Sequence, residues 1–149
     1  MIVKNETELI LLGEKLGLGL VGGEVIELIG DIGAGKTTFT KGIAKALRVE
    51  SEISSPSFTI MKEYEGEVDD GLVLLKHYDF YRLDDAGLMK DELVDDVGKK
   101  DVITVVEWAK DTTGVLPDKR LKVRINYLPD DGREVIIESP DSKILETAL

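Results

Sequence analysis

Cysteine is absent from this 149-residue chain, which excludes a disulfide framework, a thiolate zinc site and a cysteine nucleophile. Histidine occurs once, so multi-histidine metal sites are excluded as well. Long apolar runs are missing too. None approaches a membrane span, and the N-terminus lacks the charged-then-apolar pattern of a signal segment. The expected compartment is therefore the cytoplasm, with no membrane partner. Basic residues are in short supply: 19 Lys and Arg stand against 30 Asp and Glu, a formal charge of −11. A surface with that balance repels phosphate backbones and disfavours stand-alone nucleic-acid binding.

What is present is the composition of a folded chain. Hydrophobic residues make up 42% and charged residues 33%, which suits a globular protein rather than a disordered one. The length favours one domain over residues 1–149, large enough to bury roughly two-thirds of its unfolded surface. Helical spacing of Leu9, Leu12 and Leu16 predicts a helix over 5–18, with Asn5 or Thr7 as its cap. A short β-favouring run at 24–29 breaks at Gly30, and a second helix is expected from 36 to 47. Further on, strands are expected at 58–64 and 72–80 around a polar turn at 65–71. An acidic helix is expected at 84–97, with Leu88, Leu93 and Val97 as anchors. The β-branched run 102–106 has the pattern of a strand buried on both faces. Strands at 119–127 and 134–138 flank a turn at 129–132, and one or two helical turns are expected at 142–149. These elements predict a three-layer α/β sandwich with a mostly parallel, mixed central sheet.

Between the strand at 24–29 and the helix at 36–47 lies Gly30-Asp31-Ile32-Gly33-Ala34-Gly35-Lys36-Thr37. It fits G-x-x-x-x-G-K-[ST], the phosphate-binding P-loop, at every required position. Glycines let successive amides turn inward onto a phosphate without Cβ obstruction, and the helix start adds partial positive charge. Lys36 can reach the β- and γ-phosphates, and the Thr37 hydroxyl can ligate Mg²⁺. A chance match in a chain of this length has odds of about 1% or less. The nucleotide is expected along Asp31, Ile32, Gly33, Ala34, Gly35, Lys36, Thr37 and Thr38. Acidic partners are also needed, and two strand-end carboxylates offer themselves: Asp79 and Glu107. Either can hold the metal or orient water; the assignment preferred is Asp79 on Mg²⁺ and Glu107 on the water.

Four segments then stand in order: the loop with Thr38-Phe39, Ser55-Pro56-Ser57-Phe58-Thr59, His77-Tyr78-Asp79-Phe80-Tyr81-Arg82-Leu83, and Val106-Glu107-Trp108. This ordered set resembles the TsaE family, also called YjeE, over roughly residues 5 to 128. The resemblance implies a small Mg²⁺-dependent ATPase, weak alone, that supports turnover of the TsaD–TsaB transferase heterodimer. That complex places threonylcarbamoyl on adenosine 37 of tRNA, and this chain would meet tRNA only indirectly. The resemblance carries catalytic roles to Lys36, Asp79 and Glu107, metal roles to Thr37, Asp79 and Glu107, and a nucleotide contact to Trp108. It makes Ser57 a nucleotide-sensing switch, where the family usually has threonine. The preference for ATP over other nucleotides rests on this resemblance.

Other residues admit two readings. Trp108 is the only tryptophan and can lie at the nucleotide, at a partner surface or in the core. His77 has no nucleophile or metal set around it, which favours a structural role. Arg82 can supply charge to a transferred phosphate or cap its strand in solvent. The acidic stretch at 84–101 is a solvated helix face or a docking surface. Two other functions use the same loop: a small-molecule kinase, and a nucleotide-regulated binding module.

Overall fold

The computed structural model describes residues 1–56, 59–81, 87–108 and 114–149. Strand β1 (Ile2–Val3) leads into helix α1 (Glu6–Gly17), where the Asn5 side chain caps the first turn by accepting from the Glu8 amide. Strand β2 (Val25–Ile29) and helix α2 (Lys36–Ala46) bracket the glycine-rich loop, as their hydrophobic spacing predicts. Strands β3 (Met61–Val68) and β4 (Gly71–Asp79) follow, then helix α3 (Gly87–Asp96) and strand β5 (Val102–Glu107). Strands β6 (Leu121–Tyr127) and β7 (Arg133–Glu138) and helix α4 (Ser142–Ala148) complete the order.

The expected turn at 65–71 is a correction. Residues 65–68 stay in the sheet, paired from Glu65↔Leu74 to Val68↔Gly71. The chain reverses at Asp69 and Asp70 alone, with φ of 48° and 62°. Two successive left-handed residues make the tight hairpin turn whose twist matches the strands it joins. Aspartate tolerates that backbone better than most residues, which let a polar stretch continue as strand. Strand β1 was not expected at all, because two residues carry no readable periodicity.

The strands form one sheet in the order β1-β7-β6-β2-β5-β4-β3. The central four, β6, β2, β5 and β4, run parallel. Antiparallel partners close the two sides, β3 on β4 and β7 between β6 and β1. The sheet is therefore mixed, with its parallel block at the centre, where both faces are covered. All six residues of β5 are buried.

Alternation splits the side chains between two apolar layers. Leu75, Ile103 and Val105 pack with α1, α2 and α4 through Leu16, Phe39, Ile43 and Ile144. Tyr78, Phe80 and Val106 point to the opposite face and pack with Leu93 of α3. The result is three layers, helix, sheet and helix. Helices α1 and α2 approach closely at Gly13 and Gly42, where an added Cβ would sit 2.3 Å from the Phe39 carbonyl oxygen and 2.1 Å from that of Ile10 respectively.

On the α3 face, Asp96 is buried rather than solvated. It accepts from the Tyr78 hydroxyl at 2.6 Å and from Lys76 Nζ at 2.9 Å. This fastens the acidic helix to β4. Among its expected anchors Leu93 is fully buried and Val97 partly so, whereas the Leu88 side chain lies outside the description.

Candidate functional site

Parallel strands align their C-terminal ends, and the loop after β2 opens at that edge of the sheet. The neighbouring strands end there too, with Asp79 and Glu107 directly opposite each other in register. Residues on one face of a strand recur every second position. Leu75, His77 and Asp79 therefore share a face with Ile103, Val105 and Glu107, on the side of α2. Of these, Asp79 and Glu107 line a cavity of about 430 Å³, together with Ile32, Gly33, Gly35, Lys36, Thr37, Thr38, Ser55, Tyr81 and Trp108. Its size suits a small polyanionic ligand or the phosphate end of a larger one.

The loop is shaped by its glycines and by the helix start. Gly33 and Gly35 adopt φ of 75° and 111°, conformations a Cβ penalises. Gly35 caps α2 and contributes no side-chain hydrogen bond. The first-turn N–H groups therefore have no side-chain acceptor at the cap, and no acid occupies that turn. This is an anion-binding geometry.

Lys36 is only 6% exposed. Its ammonium donates to the carbonyls of Gly30 at 2.8 Å and Asp31 at 2.9 Å, and lies 4.6 Å from the centroid of the Trp108 ring. Burial pushes its pKa down, against the opposing pull of Glu107, Asp79 and Asp31. Trp108 itself has φ of 58° and packs on Tyr81, ring centroids 4.7 Å apart. A left-handed tryptophan is an unusual backbone state of the kind that clusters at functional sites. Trp108 both lines the cavity and packs against the apolar cluster of Tyr78, Phe80, Leu93 and Val106.

Asp79 and Glu107 are 5% and 3% exposed. Asp79 accepts from the Tyr81 amide at 3.0 Å. Glu107 meets His77 Nε2 at 2.8 Å through Oε1. His77 is fully buried, and its Nδ1 has no hydrogen-bond partner among the described residues. Its expected structural role thus has a definite object, the orientation of Glu107. The strand-pairing pattern could have found it, since His77 lies two residues before Asp79 on the same face.

Two expected nucleotide contacts sit differently. Asp31 is exposed and Ala34 fully buried, and neither lines the cavity. Ser57, expected as the switch, and Arg82 lie outside the described residues. The neighbouring Ile60, at φ of 69°, donates to the Pro56 carbonyl at 2.6 Å and accepts from the Asp79 amide at 2.8 Å. A β-branched residue in that conformation is strained. It links the 55–56 segment mechanically to a site carboxylate.

The side chains at this cavity mouth are of the kind that Mg²⁺ takes as ligands. Among the described residues no group of three or more His, Cys, Asp or Glu could hold a metal ion. Two buried carboxylates and a threonine beside an anion cradle are what Mg²⁺ uses, since it draws its remaining ligands from water and phosphate. Also among the described residues, no helix is long and apolar enough to cross a membrane.

Comparison with known proteins places the chain in a family. The family model of threonylcarbamoyl adenosine biosynthesis protein TsaE matches residues 3–135. The tRNA threonylcarbamoyladenosine biosynthesis protein TsaE of Bacillus subtilis is 42% identical over 113 residues, 76% of this chain and 68% of that protein. The Streptomyces coelicolor protein of the same name is 39% identical over 126 residues, 84% of this chain and 83% of its own. The crystal structure of Bacillus subtilis YdiB superposes with a TM-score of 0.74 at 32% identity, covering 99% of this chain and 88% of YdiB. The chain belongs to the TsaE family of threonylcarbamoyl adenosine biosynthesis proteins.

Proposed function

We propose that this chain is a Mg²⁺-dependent ATPase, a single P-loop domain, that supports turnover of the TsaD–TsaB transferase in making threonylcarbamoyladenosine at position 37 of tRNA. The observation that carries the reading is the register pairing of Asp79 with Glu107 at the mouth of the 30–37 loop. Phosphoryl transfer asks a protein mainly for positioning and charge stabilisation. The amides of Gly33 to Thr37 hold the phosphates. Lys36 leaves the loop carbonyls to neutralise charge developing on the transferred group. Thr37 and Asp79 would hold Mg²⁺, which would supply positive charge to offset that of the phosphates. Glu107, oriented by His77, aligns a water for in-line attack. Trp108 and Tyr81 shield the site from bulk water, and the segment around Ser57 senses the nucleotide.

The test is phosphate release with and without the TsaD–TsaB pair. Hydrolysis is expected to be weak alone and stimulated by the pair; equal rates would overturn the partner role. Glu107→Ala separates an ATPase from a nucleotide-regulated binding module. An ATPase loses turnover while keeping nucleotide, whereas a binding module shows no catalytic loss.

A further inference from the structure

The outer side of the 30–37 loop is held by two side chains that the nucleotide reading leaves without a role. Tyr127 ends β6, Arg133 begins β7, and the two are direct cross-strand partners in register. The Arg133 guanidinium lies over the Tyr127 ring, with its central carbon 4.3 Å from the centroid. From that stack the Tyr127 hydroxyl donates to the Ile32 carbonyl at 2.8 Å. Arg133 Nε donates to the Ala34 carbonyl at 3.0 Å. Arg133 Nη1 is spent on its own hairpin turn, donating to Asp131 O at 2.6 Å and Gly132 O at 2.8 Å. The turn thereby fixes the guanidinium, and the guanidinium holds the loop.

A planar trans peptide sends its C=O and the following N–H in opposite directions. Holding the Ile32 carbonyl outward therefore directs the Gly33 N–H inward, and holding the Ala34 carbonyl outward directs the Gly35 N–H inward. Both glycines line the cavity. Should either peptide flip, a carbonyl oxygen would face the bound phosphate and repel it. Glycine makes such a flip easy, so the loop's freedom needs an external restraint.

We propose that Tyr127 and Arg133 are positioning residues that preset the 32–33 and 34–35 peptides of the loop for phosphate binding. The proposal rests on the phosphate-binding reading of the cavity. It extends the site to the β6–β7 hairpin, on the far side of the loop from the two carboxylates.

The probe is inorganic tripolyphosphate with Mg²⁺, which carries no base and tests the cradle alone. Binding is followed by calorimetry for the wild-type chain, Tyr127→Phe and Arg133→Lys. Tyr127→Phe keeps the ring under the guanidinium and removes one oxygen. Arg133→Lys keeps the charge and loses the fork. Each variant is expected to bind tripolyphosphate about tenfold more weakly, the scale of one lost hydrogen bond to an aligned group. In ATP hydrolysis, KM is expected to rise while kcat changes far less, the signature of lost uniform binding. A merely structural role would lower the melting temperature without that split.

Wild-type affinity in both folded variants would overturn the proposal and leave the phosphate reading standing. No binding by the wild-type chain would overturn the phosphate reading itself, and the proposal with it. Should Arg133→Lys fail to fold by circular dichroism, Tyr127→Phe decides, because its hydroxyl sits at a half-exposed position.

Discussion

Lys36 holds its ammonium against two loop carbonyls and the face of the only tryptophan. Because its ammonium bonds only loop carbonyls and one ring face rather than the apolar core, Lys36→Ala should leave the fold intact. It should lower ATP turnover by about 100-fold or more, since charge stabilisation is the main catalytic term in this chemistry. Phosphate-release assays beside a thermal melt check both halves. The same geometry makes Trp108 a reporter, and its emission should shift when nucleotide draws the ammonium off the ring. At His77 the contact is the 2.8 Å approach to Glu107. His77→Leu should reduce kcat by about tenfold to 100-fold while leaving KM for ATP nearly unchanged, because it frees the Glu107 carboxylate without touching the cradle. A KM change larger than the kcat change would contradict this. The motif names Lys36 and Thr37 outright, but nothing in it names His77, Tyr127 or Arg133. Those three matter through strand register and cross-strand stacking, which emerge only when distant segments pair.

Among the elements, the α1–α2 contact depends on the absence of two Cβ atoms. Gly42→Ala would place a methyl carbon 2.1 Å from the Ile10 carbonyl oxygen and 2.7 Å from the Glu14 amide. Backbone cannot yield as a side-chain end can, so the helices must separate. The expected cost is about 2–3 kcal/mol, at the upper part of the usual overpacking range, read as a lowered urea midpoint at unchanged slope. Helix α3 depends instead on polar fastening. Burial, and then the Asp96 carboxylate, push the Tyr78 hydroxyl well above the ordinary tyrosine range. Lys76 is raised as well, because the hydrogen bond and charge of Asp96 and Glu63 together outweigh the desolvation that lowers it. Groups raised on folding add stability that is fully present below their unfolded pKa and is lost as pH climbs through the folded value. Stability should therefore fall from about pH 10 upward, where unfolded tyrosine begins to ionise. Lys36, shifted downward, acts in the opposite sense. Tyr78→Phe isolates the tyrosine contribution: it should cost about 1–2 kcal/mol at neutral pH and flatten the alkaline decline. Urea unfolding from pH 8 to 11 (roughly spanning the tyrosine range) is the measurement.

For the whole molecule, the −11 charge sets what the surface can attract. Despite belonging to a tRNA-modification family, the chain alone should show no retention of tRNA in filter binding at about 0.15 M salt, where non-specific binding depends on basic contacts to phosphate. Retention that weakens with added salt would show a basic face that the net charge conceals. A polyphosphate is a different case. Under the proposed function it would meet a local cradle of backbone amides and one lysine, where short-range geometry outweighs the summed field of the surface. The acidic helix α3 narrows the docking idea in a specific way. Asp96 is committed to Tyr78 and Lys76, which leaves Asp91 and Asp95 as its exposed acids.

Much of this protein was legible before folding. Helical and strand periodicity located nearly every element, because the core demands apolar residues at fixed intervals. The 30–37 motif supplied the phosphate-binding expectation, because a backbone cradle needs glycines and a lysine at set spacing in one continuous segment. Expectation failed at the hairpin turn, where left-handed aspartates replaced a longer loop, and at Asp96, where a carboxylate in an acidic run is buried. Tertiary structure alone decided that Asp79 stands opposite Glu107, that His77 holds one of them, and that Tyr127 and Arg133 grip the loop from behind. Local patterning specifies what a segment becomes, while the meeting of side chains dozens of residues apart depends on strand order and register. Those are properties of the assembled sheet.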